Sequence, residues 1–245
     1  MWLGTAPTAG EFTVAAAVLA VGLAVVHLTA GRWGFPPARY RRGLLSAGGG
    51  ASVAYVFVLI LPEIGEEAAR VAESGVGFLA EQLVFLMALA GFVAFYGVEV
   101  AVSQRGTPPA EADAVYWAHV GVFAAYSAVV GYLLFHQELP GLSNLFFYAL
   151  AMALHFAVTD YGLHRHHGEV FDTVGRALLA AATLVGALVG GLTEVDQLRL
   201  SLLFGFLAGA IVFTVVKEEI PEITEARFAA FVAGAALFTA VLLLA

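Results

Sequence analysis

Long apolar stretches recur along almost the whole chain and constrain its fold more than any other feature. About 20 apolar residues is the length that an α-helix needs to cross the roughly 30 Å hydrocarbon layer of a membrane. Lipid offers no hydrogen-bond partners, so such a stretch pairs its backbone internally as a helix. The sequence predicts eight of them, at Phe12–Ala30, Leu44–Leu61, Phe78–Ser103, Val115–Phe135, Leu145–Leu163, Phe171–Leu192, Leu198–Val216 and Phe228–Ala245. Because their connections are short, we expect one all-α transmembrane domain over residues 1–245.

The composition agrees with a chain that is largely surrounded by lipid. Hydrophobic residues make up 61% and charged residues 12% of the chain, and the mean hydropathy is +0.89. A soluble core cannot bury that much apolar surface, so we expect an integral, multi-pass membrane protein. The net charge of −8 argues against nucleic-acid binding, which needs a basic face. Because the chain has no cysteine, its candidate metal ligands are imidazole, carboxylate and hydroxyl groups.

The distribution of basic residues predicts the orientation of the chain. The first loop, residues 31–42, holds four arginines, whereas the second, residues 62–77, holds one arginine and four glutamates. The positive-inside rule then places the first loop in the cytoplasm and, after eight crossings, both termini outside. We expect the protein in the plasma (inner) membrane of a prokaryote. The outer loops collect acidic residues, Glu67 among them. Such a rim would raise the local cation concentration, and the alternative is ordinary loop charge; in both cases we expect Glu67 to be solvated.

Two similar segments indicate an internal repeat. LPEIGEEAAR, at Leu61–Arg70, closes the second predicted helix, and IPEITEAR, at Ile220–Arg227, closes the seventh. The second helix runs outward and the seventh inward, so the copies have opposite orientations. This arrangement predicts an inverted repeat of helices 1–3 and 6–8, with a substrate site near the midplane. The alternative is that Pro-Glu only ends two helices where they meet water.

Four segments carry a family resemblance: FVLILPEIGEEA in the second predicted helix, GFVAFYGVEVAV in the third, GRALLAAATLVGALVGG in the sixth and LLFGFLAGAIVFTVVKEEIPE in the seventh. Together with eight spans and outer termini, they resemble the ZIP family of divalent-metal transporters. The resemblance implies an eight-helix inverted-repeat fold and a carrier whose substrate is a divalent, zinc-like cation. The spacing of small residues on the last two segments also predicts close helix packing at Gly186, Gly190, Gly205 and Gly209.

The resemblance places the metal ligands on the fourth and fifth helices, where this chain differs from the family. The family's fourth helix carries His-Asn-x-x-Asp, and the nearest match here, HVGVF from His119, retains only the histidine. The fifth carries His-Glu-x-Pro-His/Glu, and HFAVT from His155 again retains only the histidine, with Asp160 one position out of phase. The family's binuclear site cannot be built from these positions. A ZIP-fold homologue without metal transport is therefore an alternative.

Several ionisable residues lie at a similar depth inside the predicted helices. Counting about 1.5 Å per residue from the inner boundaries places them one turn inside the cytoplasmic surface. They are His27, Glu99, His119, Asp160 and Arg176, and His155 lies about 7.5 Å farther in. A charge in lipid costs roughly 2.5–3.5 kcal/mol, so we expect these residues to face the bundle interior. Asp160, His164 and His167 also share one helical face that leads to the cytoplasm.

These residues support three hypotheses. In the first, a mononuclear site for a cation such as Zn²⁺ consists of Glu99, His119, His155 and Asp160. Asp160 then also begins an exit or sensing ladder that continues with His164 and His167. In the second, the same groups relay protons or form a pH-dependent gate. In the third, they form an ion-paired network that fixes helix packing. Arg176 favours the third, because a guanidinium would neutralise Glu99 or Asp160 and repel a cation.

An enzyme is a further alternative. Intramembrane metal-dependent hydrolases use several histidines with an aspartate and a serine, a role open to His119, His155, Asp160 and Ser127. Against it, the chain has no His-x-x-x-His pair, and Ser127 lies more than two turns from His119. The main prediction is a non-enzymatic, ZIP-like transporter for which the metal is substrate rather than cofactor. Its expected partners are membrane lipid and a small cation, and a homodimer is left open.

Overall fold

The computed structural model describes residues 8–30, 38–73, 80–104, 109–137, 141–224 and 226–244. Within these ranges the chain is helical, no β-strand occurs, and the all-α prediction is confirmed. The helices are α1 (Ala9–Thr29), α2 (Ala38–Tyr55), α3 (Leu61–Glu73), α4 (Ala80–Gln104), α5 (Pro109–Leu133), α6 (Leu142–His167), α7 (Arg176–Leu192), α8 (Gln197–Thr214) and α9 (Phe228–Leu244). π-helical turns connect α2 to α3, lead into α7 and follow α8, at Val56–Ile60, Phe171–Gly175 and Val215–Glu219.

The described part of the chain contains six helical segments that are long and apolar enough to cross a membrane. They are Ala9–Thr29, Tyr40–Glu73, Glu81–Ala101, Leu142–His164, Phe171–Leu192 and Gln197–Glu219, and Phe228–Leu243 is apolar but shorter. α1 also exposes a stripe of valines along one side, at Val14, Val18, Val21 and Val25. An exposed apolar stripe of this length is suited to lipid rather than water. These features support an integral, multi-pass membrane protein.

The second predicted span is longer than expected. The prediction that it ends at Leu61 is wrong, because the helix continues as α3 to Glu73. The π turn before it changes the pairing, since the Leu61 N–H donates to the Val56 carbonyl five residues back. Pro62 then lies in the first turn of α3, where a helix tolerates a residue without an N–H.

A π turn precedes each copy of the repeated Pro-Glu segment. Val56–Ile60 leads directly into the first copy, and Val215–Glu219 leads directly into the second. The Ile220 N–H donates to the Val215 carbonyl at 3.2 Å, which repeats the five-residue closure seen at Leu61. After the second copy, however, the chain leaves the helix, because Ile220 has an extended conformation.

Among the described residues, the helices pack in two groups. One contains α1, α5, α6 and α7, and the other contains α2, α3, α4, α8 and α9. The most extensive contacts join α2 to α9, α4 to α8 and α5 to α7. A methyl group added at Gly50, Gly209 or Gly186 would overlap a backbone carbonyl of the partner helix, so glycine permits each of these close approaches. The predicted packing role is confirmed for Gly186, Gly190, Gly205 and Gly209.

α6 lies where the two groups meet. It packs on α1 and also contacts α2 and the π turn at Val215–Glu219. Its buried face carries His155, Thr159 and Asp160 among apolar neighbours. The expectation that ionisable residues face the bundle interior is confirmed for the buried side chains of His27, His119, His155, Asp160 and Arg176.

Candidate functional site

A buried pair of ionisable residues joins α6 to the π turn after α8. Nδ1 of His155 lies 2.5 Å from Oε1 of Glu219, and each residue is only 4% exposed. The backbone of Gly49 packs directly against the Glu219 carbonyl, so α2 closes over this turn without an intervening side chain. The His155–Glu219 pair therefore bridges the two groups of helices.

Each member of the pair has a second polar atom without a partner. Nε2 of His155 and Oε2 of Glu219 are buried and form no hydrogen bond with the described residues. In a neutral imidazole the proton must lie on Nδ1 to donate to the carboxylate, which leaves a lone pair on Nε2. Metal-binding histidines are commonly oriented by a carboxylate in this way. The pair thus offers Nε2 of His155 as a candidate cation ligand, with Glu219 as the carboxylate that orients the ring.

Buried phenol groups lie next to the pair. The Tyr126 ring is 5.5 Å from the His155 ring, and Tyr55 lines a cavity of about 10 Å³ together with His155. The hydroxyls of Tyr55 and Tyr126 are buried and have no hydrogen-bond partner within the described ranges. Leaving such a group unpaired costs about 1–3 kcal/mol, so several of them together mark a site rather than inert packing.

A large cavity adjoins the pair on the predicted cytoplasmic side. It has a volume of about 610 Å³ and is bounded by α2, α6 and the π turn after α8. Its ionisable lining consists of Tyr161, Lys217, Glu218, Glu219 and Glu222. With the carboxyl groups of Glu218 and Glu222 against one ammonium, the cavity favours cations.

A smaller cavity lies toward the predicted outer side. It has a volume of about 180 Å³, and its polar lining consists of Glu63, Glu66, Arg70, Gln137, Asn144 and Tyr148. The Tyr148 hydroxyl donates to the Val130 carbonyl at 3.2 Å. Tyr148 thus borders the outer cavity, while Tyr55 and Tyr126 border His155.

The order of residues along α6 shows how the cavities are arranged. Asn144 and Tyr148 border the outer cavity, and Tyr161 and Gly162 border the inner one. His155 lies between them, about 10 Å from Tyr148 at the helical rise per residue. The buried pair thus occupies the interval between two cavities that both contain carboxylates.

Asp160 lies in a separate cluster of charges. Its carboxylate oxygens are 3.0 and 3.1 Å from Nδ1 of His27, and Nη1 of Arg176 is 3.9 Å from Oδ2. Arg176 also donates to the His27 carbonyl at 3.2 Å and to Asp172 at 2.8 Å. The expectation that Arg176 neutralises a carboxylate in this layer is confirmed for Asp160. The cluster fastens α1 to α6 and to the start of α7.

The histidines at the end of α6 have different neighbours. Nε2 of His167 lies 3.0 Å from Nδ1 of His119. Nδ1 of His164, one turn earlier, lies 3.1 Å from Oδ2 of Asp172. The predicted ladder is therefore divided between contacts with α5 and contacts with the segment before α7.

Glu99 is paired with a lysine. Nζ of Lys217 lies 3.1 Å from Oε1 of Glu99, and the Ser103 hydroxyl donates to the same oxygen at 3.2 Å. The six predicted ligands are His119, His155, Asp160, Glu99, His164 and His167. Among them, the structure places His119 and His167 in direct contact. Across the described ranges no group of three or more histidine, aspartate or glutamate side chains is placed to hold a metal ion. The predicted ligands therefore do not share the single pocket that their depth led us to expect; each has a separate partner.

The residues of the hydrolase alternative also have separate partners. The Ser127 hydroxyl donates to the Phe123 carbonyl at 2.8 Å, within its own helix. His119 contacts His167, whereas His155 contacts Glu219.

The expectation that Glu67 is solvated is wrong. Glu67 is fully buried, and its Oε2 accepts a hydrogen bond from the Ser201 hydroxyl at 2.5 Å. Its other oxygen pairs with Arg70, one turn along α3. The acidic segment around Glu67 has the composition of a loop. The sequence therefore gave no sign that α3 continues through it and packs on α8.

Comparison with known proteins adds no relative. No protein-family model and no curated protein matches this chain. The ZIP resemblance therefore stays a proposal, and the geometry of the site supplies the argument for function.

Glu219 is the residue that sequence reasoning missed. It follows Lys217 and Glu218 at the end of a predicted span, a pattern typical of a solvated helix end. The repeat contained a signal for it, because aligning the two Pro-Glu segments places Glu219 opposite Ile60. Ile60 is 1% exposed, so the alignment predicts that the glutamate is buried as well.

Proposed function

We propose that this chain is a divergent ZIP-like membrane transporter of divalent metal cations, with a zinc-like ion as its substrate. The main support for this proposal is the His155–Glu219 pair. Nε2 of His155 and Oε2 of Glu219 have no hydrogen-bond partner among the described residues, and the pair lies between two carboxylate-lined cavities. A borderline cation such as Zn²⁺ accepts an imidazole ligand. His155 would supply Nε2 at the point where the cavities approach along α6, while Glu219 holds Nδ1 of the same ring and provides a nearby negative charge.

An incomplete ligand set suits a carrier. A structural zinc site closes four protein ligands around the metal, which retains it. Transport needs binding that is strong enough for entry and weak enough for release. A single ligand atom, Nε2 of His155, leaves the other coordination positions to water or to neighbouring oxygens, so the substrate can leave toward the inner cavity.

Two features of the fold support the inverted repeat within this proposal. First, a π turn of the same closure precedes each Pro-Glu segment. Second, the repeat pairs α1 with α7, α2 with α8, and α4 with α9. This exchange converts the α2–α9 contact into the α8–α4 contact, and both are among the most extensive in the bundle. In an inverted repeat the substrate site lies near the midplane, where the repeats meet.

We expect eight crossings with both termini outside, and cysteine labelling can test this orientation. The chain has no cysteine, so each introduced thiol is unique. Thr8→Cys and Glu194→Cys should react with a membrane-impermeant maleimide in intact cells. Glu169→Cys and Thr224→Cys should react only after the cells are made permeable. All four positions are exposed on the protein, so reaction of the latter pair in intact cells would contradict the proposed orientation.

Uptake by the purified protein tests the transport function. Proteoliposomes containing the wild-type chain should accumulate Zn²⁺ or Cd²⁺ in a time-dependent and saturable way, above protein-free liposomes. Background uptake by a protein that elutes as a single folded species would contradict transport. That result would favour a ZIP-fold homologue with a structural, sensing or proton-handling role. The ion-paired cluster around Arg176 favours that second candidate, because the guanidinium already pairs with the carboxylates of Asp160 and Asp172 in the polar layer.

A further inference from the structure

One ammonium group holds two carboxylates at the edge of the inner cavity. Nζ of Lys217 lies 3.1 Å from Oε1 of Glu99 and 3.2 Å from Oε1 of Glu218. Both oxygens are thus within hydrogen-bond distance of a single point, although they come from α4 and from the π turn after α8. The lysine side chain is 43% exposed and lines the inner cavity.

The carboxylates also face a second, smaller space. Glu99 and Glu218 line a cavity of about 10 Å³ together with His119, and Glu218 borders the large inner cavity as well. Gly162 permits this position, because a Cβ there would lie 3.0 Å from Oε2 of Glu218. An ion leaving the His155–Glu219 pair for the cytoplasm therefore passes a point that two carboxylates converge upon.

We propose that Lys217 is a tethered cation that occupies the position of a second divalent ion and prevents Glu99 and Glu218 from retaining substrate. The proposal rests on the transport function proposed above and concerns the release end of the same pathway. Without the ammonium, two carboxylates would present a charge of about −2 to one point, which is a favourable site for a divalent cation. With it, the charge falls to about −1 and the coordinating oxygens are already engaged.

A purely structural role for Lys217 is less consistent with its position. Partly exposed ion pairs contribute about 0–1 kcal/mol to stability, so the fold does not depend on this contact. Its charge acts instead on ions in the cavity that the lysine lines. Lys217→Met removes the charge and keeps much of the apolar stem, whereas Lys217→Arg keeps the charge.

The test is the number of Zn²⁺ ions bound by the purified full-length chain in detergent, measured by equilibrium dialysis and elemental analysis. We expect Lys217→Met and Lys217→Gln each to bind about one more ion per chain than the wild type. Lys217→Arg should show no gain, and adding Glu218→Gln to Lys217→Met should remove the gain. In proteoliposomes the Lys217→Met chain should take up ions more slowly, since release would be delayed.

The readout is a difference between variants and does not require the wild type to bind metal. A wild type that binds no Zn²⁺ would count against the proposed transport function, whereas a gain of one ion in Lys217→Met would still support the tethered-cation proposal. Equal stoichiometry in the wild type, Lys217→Met and Lys217→Gln, with each protein eluting as a folded species, would overturn it. A gain that persists with Glu218→Gln would also overturn it, because the extra ion would then lie elsewhere.

Discussion

Glu219→Gln should lower the initial rate of Zn²⁺ uptake into proteoliposomes by roughly 100-fold. Glutamine has nearly the same shape, and its amide oxygen can still accept a hydrogen bond from Nδ1 of His155. The substitution removes the negative charge that would balance a cation beside an apolar core. The protein should therefore keep its fold while losing the negative charge that supports a cation on His155.

The matched control is Glu169→Gln, which makes the same chemical change at an exposed position near the end of α6. We expect uptake by this variant to stay within about twofold of wild type, since exposed charges are screened by salt. His155→Gln should resemble Glu219→Gln, because it removes Nε2 while its amide N–H can still donate to Glu219. Wild-type uptake by either variant of the pair would show that the cation does not pass between His155 and Glu219.

Arg176→Met should destabilise the protein by about 3–5 kcal/mol. The guanidinium is 2% exposed and lies next to the carboxylates of Asp160 and Asp172 and the carbonyl of His27. Removing it leaves the buried Asp160 with His27 as its remaining partner and takes the ion pair from Asp172, which costs far more than losing an exposed ion pair. A shift of this size corresponds to a fall in the thermal midpoint of about 10 °C for a chain of this length.

Two further variants separate charge from packing at this position. Arg199→Met removes an arginine whose side chain is 79% exposed beside Asp196, and it should cost less than about 1 kcal/mol. Arg176→Met combined with Asp160→Asn removes both charges and should recover part of the lost stability. If Arg176→Met were as stable as Arg199→Met, the cluster would not be what fastens α1 to α6 and α7.

The hydrophobic pattern alone placed nearly every helix, because lipid allows few alternatives to an apolar helical span. Phe171–Leu192 coincides with a π turn plus α7, and Phe228–Ala245 with α9 to within a residue. The difference at Leu61 arose because the prediction took Pro62 to end a helix. The pairing change in a π turn cannot be read from apolar periodicity.

The site was only partly predictable, since depth along a helix does not specify a neighbour. A rise of 1.5 Å per residue placed His27, Glu99, Asp160 and Arg176 at one level. In the structure these residues belong to different groups of helices. Asp160 contacts His27 and Arg176, whereas Glu99 contacts Lys217.

Glu219 is the last residue of the π turn before Ile220, so counting along a regular helix could not have placed it. Each extra residue in a turn rotates the following side chains by about 100°. A residue counted onto one face of a regular helix then lies on another.

The narrow space between Tyr55 and His155 determines how an ion can travel through the proposed carrier. A volume of about 10 Å³ holds a single water molecule, far less than an intact hydration shell. An ion that passed through this space in the proposed carrier would shed water and accept the Tyr55 hydroxyl and the His155 imidazole in exchange. Mg²⁺ dehydrates reluctantly and keeps several waters when bound to proteins. Exclusion of Mg²⁺ would then follow from the cost of dehydration, without any ligand dedicated to rejecting it.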